Sequence, residues 1–236
     1  MIAHGKYLKE VAQSHEVTDE SEIERFAKVC AFLSVNEDFL SWRGKSKPDP
    51  DSNEGIEKLA DKFFPARNKK DWPSEPTTVP DEAVSIVMQV VYGYSEDETT
   101  RIKVEHQHSM SAENIVGALL ERYIATVLEP HGWVWCAGDF VKAVDFIKYI
   151  EEDESPWTAV QVKNRDNTEN SSSKAIRDGK PILKWFRTFA KTGRDNWDNF
   201  PEEEFRNKLS ETGFREFVRN YLKSPAEKVT AKKLAD

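Results

Sequence analysis

Apolar residues recur at helical spacing along most of the chain and at strand spacing only within a central stretch. Residues 2–15 form a short, partly apolar helix. Ile23, Phe26, Ala27, Cys30 and Leu33 mark a second, with Thr18 or Ser21 as its cap and Glu22 and Glu24 in its first turn. A loop rich in proline and acid occupies residues 46–54, and a third helix over residues 56–64 is expected to stop at Pro65. Residues 65–81 hold four prolines and read as a connector. The next run, AVSIVMQVVYGY at residues 83–94, is apolar and β-branched and fits a buried helix or a strand equally.

A core is expected from about residue 109. Ser111 is placed to cap a helix over residues 112–128, whose Ile115, Leu119, Tyr123 and Val127 form one apolar stripe, and Pro130 and Gly132 close it. Strands follow over residues 133–136, 144–149 and 157–163. Short helices are then expected over residues 173–177 and 181–190, the latter packing Trp185, Phe186 and Phe189 on a sheet. The tail, residues 202–236, reads as helical and peripheral. This order predicts an α/β sandwich in one domain, residues 1–236. Within it lie a helical N-terminal subregion (1–80), a catalytic and reading core (109–194) and the tail.

The chemistry concentrates in TAVQVKNRDNTENSSSKAIR, residues 158–177. Strand alternation puts Val160 and Val162 on one face and Gln161 and Lys163 on the other. Asp145 stands upstream in another apolar, strand-like run, where an unpaired charge is costly to bury. An acid, an amide and a lysine can therefore meet at one sheet edge. Phosphodiester hydrolysis needs a divalent ion and a cation beside the attacking water. Asp145 is the principal candidate ligand for hard Mg²⁺, the Val162 carbonyl a further oxygen, and Lys163 the cation. Gln161 offers an oxygen without charge, so another acid is expected. Glu113, Gly117 and Glu121 share one side of the preceding helix, with Glu113 the first candidate and Glu121 the second. Gly117 could mark close approach of that helix to the sheet or to DNA.

Beyond Lys163 lie side chains suited to base edges and phosphates: Asn164, Arg165, Asp166, Asn167, Glu169, Asn170, Ser171, Ser172, Ser173 and Arg177. Arginine pairs with guanine, asparagine with adenine, and acids accept from cytosine. Acids and amides mixed among cations point to sequence reading rather than a bare phosphate grip. His106 and His108 complete no ligand set and read as exposed loop residues.

Net charge is −8, which alone would argue against a polyanion partner. Residues 161–194, however, carry nine basic side chains against three acids, an excess of six positive charges that leaves −14 elsewhere. A basic tract with acidic runs on both sides confines a polyanion to one cleft. With 38% hydrophobic and 32% charged residues the composition is that of a soluble globular protein. Two distant cysteines, the absence of an apolar leader and the lack of any run near ~20 apolar residues lead to the expectation of a reduced, cytoplasmic setting with no membrane contact.

At these residues the chain resembles the PD-(D/E)xK nuclease superfamily, with Val144, Asp145, Phe146 and Ile147 standing at the first motif and Gln161, Val162 and Lys163 at the second. More narrowly, QVKNRDNTENSSSKAIRDG and the helix AENIVGALLERYI before it are similar to the SinI-like group of type II restriction endonucleases. That similarity spans about residues 112–187. It departs at Val144, where the motif has proline, and at Gln161, where it has an acid. The resemblance implies a restriction-endonuclease-like central mixed β-sheet flanked by helices. It also implies a Mg²⁺-dependent homodimer that cuts both strands of a short double-stranded DNA site, GGWCC in that group. Asp145, Gln161 and Lys163 carry over as catalytic positions, with Glu113 as the added acid. A companion methyltransferase is expected in the same system, without a stable complex. The rival readings are a structure-selective or repair nuclease of the same superfamily, a catalytically inactive DNA-binding protein, and an RNA-processing nuclease.

Overall fold

A computed structural model describes residues 5–42, 45–151, 156–166 and 182–224. Among these, the N-terminal region is helical, as its periodicity indicates: α1 (Gly5–Ser14), α2 (Glu20–Val35) and α3 (Asn53–Asn68). The cap of α2 is neither Thr18 nor Ser21 but Asp19, whose carboxylate accepts from the Ser21 N–H at 2.9 Å. Pro65 does not stop α3, which continues to Asn68. The last turn is held from outside, because Arg122 donates to the carbonyls of Arg67 at 2.8 Å and Ala66 at 3.0 Å and to Asp71 at 2.8 Å.

The ambiguous run is a helix, α4 (Glu82–Tyr92), ended by Gly93 in a left-handed conformation. A turn leads into α5 (Glu96–Leu128), 33 residues long. Its cap is Ser95, with Glu98 completing a capping box, and not Ser111, which lies buried inside it. Nothing between residues 96 and 111 breaks a helix: the stretch holds neither proline nor glycine. Serine marks a start only when the preceding turn fails to continue.

Four strands follow: β1 (Trp133–Trp135), β2 (Phe146–Tyr149), β3 (Trp157–Arg165) and β4 (Ile182–Thr188). They form a mixed sheet in that order, antiparallel from β1 to β3 and parallel between β3 and β4. The helix expected over residues 181–190 is therefore wrong. Trp185 is buried on a strand, opposite Val162, and its indole donates to the Asn196 carbonyl at 3.0 Å. Pairing along β3 satisfies the backbone groups of this segment, and its β-branched and aromatic residues suit a half-buried sheet. The helix expected over residues 173–177 lies outside the described residues.

Alternation along the strands sends side chains to two cores. Ile147 and Ala159 pack with Phe26, Phe32 and Phe63 of α2 and α3, whereas Phe146, Val160 and Val162 pack with Leu120 and Ile124 of α5. The second core also takes Phe214 of the last described helix, α6 (Glu211–Lys223). Residues 202–224 of the expected tail are thus not peripheral, and the remainder lies outside the described residues. Glu211 accepts two hydrogen bonds from Arg187 Nη1 of β4, both at 2.8 Å, which ties α6 to the sheet. On the opposite flank Arg67 of α3 donates to both oxygens of Glu129, at 2.7 and 2.8 Å, and to Glu22 of α2 at 3.0 Å. That cluster joins the N-terminal helices to the end of α5.

Candidate active site

The approach to β2 is tightly determined. Ala143 holds a left-handed conformation (φ 59°), which a residue with a Cβ adopts at a cost of order 1 kcal/mol. Hydrogen bonds on either side enforce it: Lys142 N–H to the Phe39 carbonyl at 2.7 Å, and Asp145 N–H to the Val160 carbonyl at 2.9 Å. The Asp145 carbonyl accepts from Cys136 at 2.9 Å, and its side chain accepts from the Val162 N–H at 2.7 Å. Asp145 is therefore bonded to both neighbouring segments of the sheet. One carboxylate oxygen lies against β3, between the positions of Gln161 and Lys163.

The wall above this point is α5. An open cleft of about 410 Å³ runs between α5 and β3, lined by Glu113, Asn114, Gly117 and Glu121 on the helix and by Val162, Lys163 and Asn164 on the strand. The four-residue spacing on α5 thus lines one surface, as its periodicity indicates. Its two acids differ in setting. Glu113 stands at the exposed end, with a carboxylate oxygen 3.9 Å from Arg165 Nε. Glu121 lies two turns deeper, where Trp135 Nε1 donates to it at 3.0 Å. Gly117 does not mark close approach to the sheet, since a Cβ there would meet nothing within 4 Å.

Electrostatics separate the two acids further. Burial, and then the Asp145 carboxylate, push the Glu121 carboxyl up to about 8, against the opposing pull of Trp135, Lys163 and Arg122. Burial likewise raises Asp145, opposed by Lys163 and by the Val162 N–H. Two buried carboxyls, one of them raised further by the other, with one lysine acting on both, form a site short of positive charge. Gln161 adds to this. Its side chain is 1% exposed, and its amide oxygen has no hydrogen-bond partner. A buried acceptor without a partner among the described residues, one residue along β3 from the Val162 N–H that holds Asp145, is an oxygen able to meet a cation. Among the described residues no group of three His, Cys, Asp or Glu side chains could hold a metal. The donor set here is two carboxylates and an amide.

The reading residues divide. Asn164 and Arg165 end β3 and Asp166 begins the turn after it. Asn164 accepts from Arg187 Nε at 3.0 Å, and Asp166 accepts from the Ala190 N–H at 2.8 Å, so both are oriented by their own chain. Asn167, Glu169, Asn170, Ser171, Ser172, Ser173 and Arg177 lie outside the described residues. Of the basic tract, Arg187 is engaged by Glu211 and faces the Phe214 ring at 4.8 Å. His106 and His108 are exposed, on α5 rather than on a loop. Trp135 is the neighbour that sequence patterning missed. Its signal was the WVW alternation, which puts Trp133 and Trp135 on one face of β1, towards α5.

A mixed sheet with an acid entering one strand, an amide-x-lysine pair on the next and an acid-bearing helix above them defines a restriction-endonuclease-like nuclease. Comparison with known proteins narrows this. A family model for SinI restriction endonuclease matches residues 8–224. The chain is 56% identical over 169 residues to the type II restriction enzyme Eco47I of Escherichia coli, covering 72% of this chain and 73% of that one. It is 55% identical over 170 residues to the type II restriction enzyme SinI of Salmonella infantis, with the same coverage. The chain belongs to the SinI restriction endonuclease family. It is accordingly an enzyme, a site-specific deoxyribonuclease of the type II restriction class. No helix among its described residues is long and apolar enough to cross a membrane.

Proposed function

We propose that this enzyme is a Mg²⁺-dependent homodimer of the PD-(D/E)xK type that hydrolyses both strands of GGWCC in duplex DNA. The observation that carries the catalytic part is the meeting of Glu121 and Lys163 in the α5–β3 cleft with the Asp145 carboxylate, which raises the Glu121 carboxyl and accepts from the Val162 N–H of the cleft strand. The two carboxyls fit a hard divalent ion: both offer oxygens, and burial leaves both short of compensating charge. Asp145 and Glu121 would hold it, with Gln161 and the Val162 carbonyl supplying neutral oxygens. When bound, the ion polarises the scissile phosphate and lowers the barrier to forming the nucleophile.

The chain's own groups do the rest. Lys163 orients the attacking water and stabilises charge developing on the phosphate. Trp135 fixes the Glu121 carboxyl through its indole N–H, and the Val162 N–H fixes Asp145. Glu121 takes the role for which Glu113 is the first candidate by sequence. Glu113 instead holds Arg165 at the cleft mouth, where the reading segment begins. Open space at Gly117 leaves room for a phosphate backbone beside α5. Asn164, Arg165 and Asp166 begin base reading, continued through residue 177. A methyltransferase protecting the same sequence belongs to the same system, acting without a stable complex with this enzyme.

Incubation of the purified protein with a long phage DNA tests the reading. Discrete fragments with ends inside GGWCC are expected with Mg²⁺, and none in EDTA. Lys163→Ala and Asp145→Asn are expected to lose cleavage by at least a hundredfold, on the order of 3 kcal/mol of barrier, while still binding duplex. Ends at another sequence would overturn the specificity, and a Lys163→Ala enzyme cutting at the wild-type rate would overturn the site.

A further inference from the structure

Helix α4 presents its polarity the wrong way round. Its half-buried positions are Ser85, Met88 and Gln89, and Ser85 and Gln89 line a cleft with Tyr94 and Glu96 beside the start of α5. The opposite face carries Val84, Val87, Val90 and Val91, with Ile86 at the edge of the cleft, all exposed, and Val90 is 79% open to solvent. No residue of α4 is fully buried. An amphipathic helix of a self-sufficient domain turns its apolar stripe inward. This one offers to its own molecule a partly polar seam and offers outward β-branched residues, with Val84, Val87 and Val91 at i, i+3 and i+7 and Ile86 and Val90 four apart beside them.

The size of the stripe says what covers it. With Tyr92 beside them, the exposed apolar side chains of α4 present on the order of 600 Å². Two copies joined through them bury on the order of 1,000 Å² in all, the size at which a specific protein interface begins. Nucleic acid does not fit, because Asp81 and Glu82 stand at one end of the hairpin and Glu96, Asp97 and Glu98 at its turn. The same acids disfavour an anionic lipid surface. The stripe is also mechanically continuous with the catalytic wall. α5 leaves the hairpin and runs unbroken to Glu121, roughly 40 Å away at 1.5 Å per residue.

We infer that the α4 face is the surface through which two copies of this chain associate, packing the α4–α5 hairpins of both into a four-helix interface. The inference rests on the homodimer reading above and adds the surface. A two-fold axis at this stripe makes it self-complementary, each valine row meeting its copy. Because α4 is joined by a short turn to α5, which carries the cleft acids, association sets the separation of the two active centres through that hairpin. An enzyme that cuts both strands of a two-fold site requires a fixed separation of that kind.

The test uses the full chain. Sedimentation of the wild-type protein, alone and with GGWCC duplex, is expected to give twice the 27.1 kDa chain mass. The double variant Val87→Glu, Val90→Glu should associate at least a hundredfold more weakly and keep its far-UV circular dichroism, since neither side chain is buried within the monomer. A second variant, Val90→Cys, should cross-link chain to chain with a short bismaleimide. Glu24→Cys, on the opposite flank, should not, and the native Cys30 and Cys136 are buried. A wild-type protein that stays monomeric with and without duplex would refute the homodimer reading itself. A dimer indifferent to both charges, with no cross-link at residue 90, would refute only the surface. Capture of the wild-type protein by neutral phosphatidylcholine vesicles, lost in the double variant, would overturn the proposal in favour of a lipid partner.

Discussion

Replacing Glu121 by glutamine should make the metal-free enzyme more stable and at the same time inactive. The carboxyl is held at about 8 in the fold, against an ordinary 4.5 in the unfolded chain, first by burial and then by Asp145. Below pH 4.5 both states are protonated and the group contributes nothing to the pH dependence. Between 4.5 and 8 the unfolded chain releases the proton that the folded one keeps, so stability falls by about 1.4 kcal/mol per pH unit, and above 8 the loss levels off. At pH 7 this amounts to about 3 kcal/mol. Glutamine is isosteric, never ionises and still accepts from the Trp135 indole. A hydrogen bond fitted slightly less well costs about 1 kcal/mol, leaving a net gain of about 2–3 kcal/mol at pH 7.

For a chain of this size that gain corresponds to a rise in Tm of roughly 4–12 °C. Thermal melts followed by circular dichroism in EDTA from pH 4.5 to 8.5 would measure it. At the acid end the variant should melt roughly 2–4 °C below the wild type, and it should overtake the wild type as pH rises. Added Mg²⁺ should raise the Tm of the wild type more than that of the variant, because a ligand that binds only the folded state stabilises by mass action. Cleavage by Glu121→Gln should fall at least a hundredfold. A Tm difference independent of pH, or a variant less stable at pH 8, would show that Glu121 is not held protonated beside Asp145. Undiminished cleavage would remove it from the catalytic set.

Gln161→Glu should act oppositely: a third acid at a 1% exposed position beside Asp145 should lower the metal-free Tm at pH 8 by several degrees, on the order of 2 kcal/mol, and tighten Mg²⁺ binding measured by calorimetry. An unchanged affinity would mean that residue 161 does not face the ion. Arg187→Met removes the bidentate partner of Glu211 but leaves it Arg215 and Trp197, so a loss of about 2–3 kcal/mol is expected in urea unfolding. Burial alone would raise the Glu211 carboxyl, but Arg187 and Arg215 hold it below the ordinary carboxylate range. Its contribution is therefore present above pH 4.5 and disappears as pH falls through the lower folded value. In the Arg187→Met protein that acid-side dependence should shrink, and a parallel pH profile in both proteins would refute the pairing.

The elements legible in the sequence were those whose pattern and partners are local. The α2 stripe, the α5 stripe through Leu119 and Tyr123, and strands β1 to β3 all follow from apolar spacing. What escaped was decided at long range. Residues 182–188 carry no helix breaker, and only the open edge of β3 makes them a strand. Pro65 would end an isolated helix, but the Arg122 guanidinium engages the carbonyls beyond it. Ser111 has the chemistry of a cap and lies within a helix already capped 16 residues earlier at Ser95.

The acids show the same division. Asp145, Gln161 and Lys163 stood out as candidates because each lies on an apolar strand or at the entry to one, where a polar side chain needs a reason. Helical spacing placed Glu113 and Glu121 on one face but could not rank them, because rank depends on what stands opposite. Opposite Glu121 are Asp145, Lys163 and Trp135, all contributed by the sheet; opposite Glu113 is Arg165, at the cleft mouth. In the proposed site the carboxylate missing from residue 161 of β3 is supplied by α5 across the cleft. The number of charges available to a cation is preserved while one of them moves to a different element. The helix that supplies it also carries the apolar hairpin, so a change of angle between α5 and β3 would alter the metal geometry and the dimer geometry together. A strand-borne acid would be free of that constraint. For this reason substitutions that loosen α5 midway, such as Ser111→Pro, should impair cleavage even though residue 111 touches neither the proposed ion nor the proposed interface.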